Sequence, residues 1–174
     1  EGSVHYHIPS VIKLKGKLNI TLLELVIRKI IDRHEVLRTL IKEEQGQGYQ
    51  EIIGPENWSL GKFKIPDLDK SRSLIYGSIH KPFDLSKDYK LRADLFVIND
   101  EEHVLVATFH HIASDGWSSN VMIREVIELY SALGTNKKPD LPLLEVQYAD
   151  YALWQREHLQ GELRSEEHTS ELQS

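Results

Sequence analysis

The chain has no cysteine among its 174 residues, and this absence excludes several kinds of chemistry together. Without thiols it can form no disulfide, no cysteine nucleophile and no zinc site with cysteine ligands. A chain without disulfides also suits a reducing compartment, so we expect a cytoplasmic protein. Its apolar runs, such as "LLELVI" and "HVLVATF", are far shorter than the roughly 18 residues that a membrane helix needs, so we expect no membrane partner.

An excess of positive charge is lacking too. The chain has 21 lysines and arginines against 27 aspartates and glutamates, for a net charge of −6. Proteins that bind nucleic acid present basic residues to the phosphates, and no basic block is present here, so we expect no nucleic-acid partner. The composition is 40% hydrophobic and 28% charged, which suffices for an ordinary globular core of one domain.

The pattern of apolar residues predicts a strand and then a helix near the start of the chain. In residues 8–16, Ile12 and Leu14 alternate with Lys13 and Lys15, which is typical of a half-buried strand. The helix should cover 19–34, with a capping box formed by Thr21 and Glu24. Its apolar residues recur at helical spacing, at positions 23, 26, 27, 30 and 31.

Two hairpins are expected further along. The first joins "EVLRTLIKEE" (35–44) to "YQEII" (49–53) through the turn "GQG" (46–48), and the second joins "YKLRADLFVIN" to "HVLVATFHH" through residues 100–102. Because helical segments separate these hairpins, the sheet should be mixed rather than purely parallel. The fold class predicted is α/β (α+β): a two-layer sandwich whose mixed, largely antiparallel sheet has helices packed on it.

Three more helices are predicted, and a tail follows them. A short one lies around 71–80, one in "SSNVMIREVIELYSALG" ends with Gly134 at the C′ position, and the last is "VQYADYALWQREHL". Residues 164–174 are polar and aperiodic, which is typical of a disordered terminus. Their back-translation also resembles a sequencing-library adapter, so we interpret 1–163 as the domain and 164–174 as a non-native tail.

The candidate site is "FHHIASDGWS", where the most apolar strand ends. In a strand His110 and His111 point to opposite faces, and both faces here are apolar, so the strand should be central and covered twice. One histidine should therefore be structural and the other functional. Two structural histidines remain an alternative. A metal site is not expected, because the pair lacks the i,i+4 spacing of helical zinc ligands.

Asp115 and Gly116 follow the pair at a sharp turn into a helix. Gly116 suits that turn if it needs a positive φ, and Asp115 can hold the backbone or pair with an arginine. A histidine at a strand end, braced by a turn carboxylate and facing a cleft, suits proton transfer near neutral pH.

Four segments carry a family resemblance. "HHIASDG" (110–116) resembles the HHxxxDG signature of nonribosomal peptide synthetase condensation domains, which belong to the chloramphenicol-acetyltransferase-like superfamily. "RHEVLRT" (33–39), "FDLSKDYKLRADL" (83–95) and "YADYALWQ" (148–155) resemble other motifs of that family, in the family's order. The resemblance implies the N-terminal half of such a domain, truncated at both ends, and a half-domain that is inactive alone.

The resemblance also implies roles for residues. The second histidine of the signature, His111, would be catalytic beside His110 and Gly116. Asp115 would be structural, held in a buried pair by Arg33 or, as second choice, by Arg38. The aromatic residues Trp117, Tyr130, Tyr148 and Trp154 match family positions, and core packing is favoured over substrate contact for them. His34 is expected to be structural.

The implied reaction is amide-bond formation between two carrier-bound thioesters, with His111 as general base or as the residue that positions the amine. The resemblance implies no directly bound cofactor, since the 4′-phosphopantetheine arms belong to upstream and downstream peptidyl carrier domains. It also implies an adenylation domain in the same chain and the missing C-terminal half as partners. Two alternatives stay open: a CoA-dependent acyltransferase of the same superfamily, and a non-catalytic half-domain that docks a carrier or another partner. The last would be expected to have lost the second histidine or the aspartate.

Overall fold

The computed structural model of the chain describes residues 4–158. The chain divides after Pro142 into two compact units, which are described separately. In the first, the strands are β1 (His7–Lys15), β2 (Thr39–Glu44), β3 (Gln47–Ile52), β4 (Gly61–Lys64), β5 (Leu91–Asn99) and β6 (Glu102–His110), and the helices are α1 (Ile20–Arg33), α2 (Arg72–His80) and α3 (Gly116–Gly134). Short 3-10 turns cover Val4–Tyr6 and Glu35–Arg38.

A four-stranded sheet in the order β1-β6-β5-β4 forms the centre of this unit. β6 pairs antiparallel with both β1 and β5, and β4 joins the edge parallel to β5. The predicted mixed, largely antiparallel sheet with helices packed on it is confirmed. β4 is absent from the prediction, because its four residues, "GKFK", carry neither an alternating apolar pattern nor a run of β-branched side chains.

Both faces of the sheet are covered, as expected for its central strand. α1 and α3 pack on one face, and the five apolar positions predicted for α1 are all buried there. They contact Leu105, Ala107 and Phe109 of β6, together with residues of β5 and α3. The other face carries Val104 and Val106 of β6 and packs against the segment that includes α2. Alternate residues of β6 therefore pack into two separate hydrophobic cores, one on each face of the sheet.

The N-terminal cap of α1 differs from the prediction. The cap is Asn19, whose side-chain oxygen accepts the backbone N–H of Leu22 at 3.0 Å. The capping box assigned to Thr21 and Glu24 is wrong, because the helix already begins at Ile20 and a capping residue must lie outside the helical backbone. Glu24 instead accepts a bond from Lys62 Nζ at 2.6 Å.

The end of α3 also differs. Gly134 is the last helical residue rather than the C′ residue, and Asn136 takes the left-handed conformation with φ 54°. Lys137 N–H donates to Ala132 O at 2.8 Å and Asn136 N–H donates to Leu133 O at 3.2 Å. This bond pair is the Schellman motif, and asparagine tolerates its left-handed position better than most side chains.

The two hairpins are confirmed. β5 and β6 pair as expected, while β2 and β3 form a separate two-stranded sheet. The turn of that second sheet is Gln45-Gly46, both with positive φ, one residue before the "GQG" expected from the sequence. The segment 35–38, predicted as part of the strand, is a 3-10 turn.

The second unit is described only as far as residue 158. Residues 148–158 form a helix, α4, which confirms the last predicted helix over that range. The predicted tail at 164–174 and the boundary after residue 163 lie outside the described residues. Among the helices that the structure describes, none combines the length and apolarity needed to cross a membrane.

Candidate active site

The histidine pair lies where β6 leaves the sheet. His110 is the last residue of β6 and His111 opens the turn that leads to α3. The N–H of His110 donates to Lys90 O at 2.9 Å, and the N–H of His111 donates to Tyr6 O at 2.7 Å. Backbone hydrogen bonds to both sides therefore fix the pair, although only His110 still belongs to the strand.

The His111 ring is exposed and held through one nitrogen. Nδ1 lies 3.1 Å from the carbonyl oxygen of Ser114. Since a carbonyl can only accept, this contact requires a proton on Nδ1, and the neutral ring then has its lone pair on Nε2. No hydrogen bond to Nε2 is present within residues 4–158. The ring thus offers an oriented, accessible acceptor of protons or hydrogen bonds.

The His110 ring has a different environment. Its Nδ1 accepts the backbone N–H of Ile112 at 3.1 Å, and the half-buried ring lies edge-on to Phe83 at 5.7 Å between centroids. Desolvation lowers the pKa of His110 first, followed by positive charge at His7, Lys90 and His111. A neutral His110 is what the Ile112 bond needs, since a protonated Nδ1 could not accept. The catalytic role of His111 stays a prediction, but the two rings are not equivalent.

Asp115 is the N-terminal cap of α3. One carboxylate oxygen accepts the N–H of Trp117 at 3.1 Å, the N–H of Ser118 at 2.7 Å and the hydroxyl of Ser118 at 2.6 Å. These donors, the Ser118 hydroxyl first, lower the pKa of the exposed Asp115 carboxyl. All its partners come from its own turn.

The buried pair predicted between Asp115 and Arg33 or Arg38 is wrong. Arg33 Nε instead contacts Glu125 at 3.2 Å, and Arg38 donates to the carbonyl oxygen of Ile53 at 2.8 Å. The physical reason is position: Asp115 caps α3 at an exposed turn, whereas Glu125 lies in the interior of α3 against α1.

Glu125 is the residue that the sequence analysis missed. It is buried and also contacts His34 Nε2 at 2.6 Å, which confirms a structural place for that histidine. A signal was available, because Glu125 follows Met122 by three residues and precedes Leu129 by four, on the apolar stripe of α3. A carboxylate in such a stripe needs a cationic partner.

Gly116 and the family aromatic residues also depart from expectation. Gly116 does not have a positive φ and is the first residue of α3, where an added Cβ would meet nothing within 4 Å. Core packing is confirmed for Tyr130, whose hydroxyl accepts the N–H of Asn19 at 2.8 Å. It is wrong for Trp117, which is 77% exposed. In the second unit Tyr148 and Trp154 are exposed as well.

Lys90 holds the backbone of the histidine pair and was not predicted as a site residue from the sequence. It is 1% exposed, and its ammonium donates to Leu85 O at 3.0 Å and to Asp88 O at 2.5 Å. Burial lowers its pKa from 10.5 to about 8, against the opposing pull of Asp88 and Asp84. Since Lys90 O accepts the His110 N–H, this residue ties the loop at 84–88 to the site. Within residues 4–158, no three His, Asp or Glu side chains group as metal ligands would.

A protein-family model matches almost the whole chain. The model described as Condensation domain matches residues 1–169. A linear gramicidin synthase from Brevibacillus parabrevis is 38% identical over 168 residues, covering 93% of this chain but 2% of its own length. The dimodular nonribosomal peptide synthase of Bacillus subtilis is also 38% identical, over 90% of this chain and 7% of its own. The chain thus spans a small part of these relatives.

Solved structures agree with the family model. The X-domain from teicoplanin biosynthesis, solved in complex with OxyB, has a TM-score of 0.82 at 31% identity, covering 90% of this chain and 34% of its own. SgcC5 from Streptomyces globisporus has a TM-score of 0.74 at 29% identity, covering 89% and 36%. The starter condensation domain of rhizomide synthetase has the same fold, with a TM-score of 0.72 at 20% identity, covering 81% and 35%.

Proposed function

Because this chain belongs to the condensation-domain family of nonribosomal peptide synthetases, we propose that it supplies the histidine-bearing part of a domain that forms amide bonds. In the proposed reaction the amine of one carrier-bound amino acid attacks the thioester carbonyl of another carrier-bound acyl group. The C–N bond forms, the C–S bond breaks, the carrier's thiol leaves, and the amine loses a proton. The observation that carries the proposal is the accessible Nε2 of His111.

The geometry around His111 supports this role. The Ser114 carbonyl selects the tautomer with the proton on Nδ1, so Nε2 is the atom that meets the amine. A neutral imidazole can take the amine's proton or hold the amine by a hydrogen bond while the carbonyl is attacked. Positioning of both reactants is expected to supply much of the acceleration.

The residues around His111 act as supports rather than as reactants. His110 receives the Ile112 N–H, which holds the first part of the turn, and Asp115 receives two N–H groups of α3, which holds the last part. The turn between the strand and α3 is thereby fixed at both ends. This local bracing fits a site whose one exposed ring must keep its orientation before substrate arrives.

The partners proposed follow from the family. The two substrates would arrive as thioesters on the 4′-phosphopantetheine arms of upstream and downstream peptidyl carrier domains, so these arms belong to the substrates. An adenylation domain that loads a carrier and a second half that closes the site are proposed as further parts of the same synthetase. One relative is dimodular by name, and the chain matches only a small part of each relative, which supports this arrangement.

The test compares His111 variants in a complete condensation domain that contains this chain, with both carriers loaded. His111→Ala should slow product formation by about a hundredfold or more, the scale of general acid–base catalysis. His80→Ala, on α2, is the matched control and should keep the normal rate. A full rate in His111→Ala would refute the proposal. Glutamine separates the two roles, because it can hold an amine but cannot take its proton: partial rescue by His111→Gln indicates positioning.

A second candidate is a non-catalytic module that recruits a partner. It is favoured by one observation, the likeness to an X-domain solved in complex with OxyB. Against it stands the presence of both His111 and Asp115, one of which such a module would be expected to have lost. Failure of the intact domain to form product from loaded carriers, together with stable capture of a partner enzyme, would favour this second candidate.

A further inference from the structure

A cavity of about 650 Å³ lies far from the histidine pair. His103, the second residue of β6, lines it, whereas His110 ends the same strand. Seven residues of extended strand separate the two by about 23 Å. The cavity lies beside the β5–β6 turn, and its other lining residues include Lys17, Ile20, Lys62, Phe63 and Lys64. It is therefore distinct from the site at the other end of the strand.

The charge of this cavity is positive on balance. Lys62 is committed to Glu24, with Nζ 2.6 Å from a carboxylate oxygen. Lys17 and Lys64 are exposed and form no ion pair within residues 4–158. Asp100 also lines the cavity and offsets one of these two charges. The remaining charge suits a single small anion rather than a polyanion.

His103 gives an independent sign of a missing ligand. It is 2% exposed, it lines the cavity, and its Nδ1 has no hydrogen-bond partner within residues 4–158. Buried polar atoms are nearly always hydrogen-bonded, because leaving one unpaired costs about 1–3 kcal/mol. An acceptor or donor in the cavity would satisfy this ring.

The start of α1 adds donors to the same place. The helix begins at Ile20, which lines the cavity, and Asn19 caps only the N–H of Leu22. The first amides of an α-helix have no acceptor within the helix, and with the helix dipole they attract anions. The segment between β1 and α1 is fixed by two backbone donors, since Gly16 N–H donates to Glu101 O at 2.8 Å and Asn19 N–H donates to Tyr130 Oη at 2.8 Å.

We propose that this cavity binds a small organic molecule that carries a phosphate group. The phosphate would lie between Lys17, Lys64 and the start of α1, with His103 beneath it. A phosphate offers several acceptor oxygens, which matches ammonium, amide and imidazole donors converging from different elements. The apolar part of the ligand would lie against Leu18 and Val97, which also line the cavity.

The experiment titrates the full 174-residue chain with phenyl phosphate and follows amide shifts by NMR. Saturable binding is expected, with shifts centred on the start of α1 and on β4. Lys17→Ala and Lys64→Ala should each weaken binding about tenfold, the scale of one charged hydrogen bond. Both side chains are exposed, so these variants should fold normally. Lys29→Ala removes an exposed lysine of α1 that does not line the cavity, and it should bind as tightly as the unaltered chain.

Two further ligands, phenol and inorganic phosphate, test which chemical class the cavity binds. Phenol should bind far more weakly, because it lacks the anion, and inorganic phosphate should bind more weakly because it lacks the apolar part. Equal binding of phenol, absence of saturable binding, or an equal loss in Lys29→Ala would each overturn the proposal. His103→Gln, which keeps a hydrogen-bonding group, should retain more affinity than His103→Leu. These outcomes do not depend on amide-bond formation.

Discussion

Glu125 joins α1 to α3 through two cationic side chains, and its removal tests the pairing that replaces the one expected for Asp115. Its carboxylate oxygens lie 3.2 Å from Arg33 Nε and 2.6 Å from His34 Nε2. All three side chains are largely shielded, with 10% of Glu125, 16% of Arg33 and 15% of His34 exposed. Glu125→Ala leaves the guanidinium of Arg33 without this carboxylate in a place that water barely reaches.

The expected cost follows from that shielding. Removing one partner of a buried ion pair destabilises a protein by about 3–5 kcal/mol, because the other charge stays desolvated. We expect the lower end, about 3 kcal/mol, since Arg33 also donates to Pro142 O. With a urea m-value of about 1–3 kcal/mol per molar, the unfolding midpoint should fall by about 1–3 M. Asp115→Ala should cost clearly less, because it removes only an exposed cap.

Urea unfolding followed by circular dichroism measures the difference. Glu128→Ala is the matched control, because it makes the same change on the same helix, three residues along, and removes only an exposed 3.3 Å bond from the Asp140 N–H. Its unfolding free energy should stay within about 0.5 kcal/mol of the unaltered protein. An Asp115→Ala protein as destabilised as Glu125→Ala, or a Glu125→Ala protein as stable as the control, would contradict this account of the ion pair.

Two more predictions concern Lys90 and Asn136. The pKa of Lys90 is lowered from 10.5 to about 8 in the folded state, so between these pH values the unfolded chain binds a proton that the folded protein has lost. The unaltered protein should therefore gain up to about 3 kcal/mol of stability relative to Lys90→Met as the pH rises from 8 to 10.5. Parallel pH profiles of unfolding for the two proteins would contradict this. At the end of α3, Asn136→Ala should lower the free energy of unfolding by about 1–2 kcal/mol, because alanine is strained in the left-handed conformation, whereas Asn136→Gly should leave it unchanged. Thermal unfolding of the two variants measures the difference. Equal melting temperatures would count against the Schellman motif.

Much of the fold followed from local patterns. The alternation in β1 and β6 and the helical spacing in α1 predict which residues are buried, because burial follows the period of each element. Local patterns did not predict the N-terminal cap of α1, since Thr21 and Glu24 have the right residue types but lie inside the helix that Asn19 caps. A capping pattern identifies candidates, and the first residue with helical backbone decides among them.

Part of the candidate site was likewise predictable from local sequence. The apolar alternation over residues 103–111 predicts a doubly covered strand and unlike environments for the two histidines, because neighbouring strand residues face opposite sides. Four motifs between residues 33 and 155, in the family's order, predict the family. Each of these patterns lies within a short stretch of the chain.

Which charged side chains meet depends on how the helices pack against each other. Asp115, the cap of α3, and Glu125, inside α3, are ten residues apart, and either could have faced an arginine of α1. The packing of α3 against α1 places Glu125 beside Arg33 and His34 and leaves Asp115 to its own turn. The same holds for the cavity around His103, which three strands and the start of α1 build together. Ion pairs and cavities depend on how helices and strands are oriented in space, and residue types along the chain do not specify that orientation.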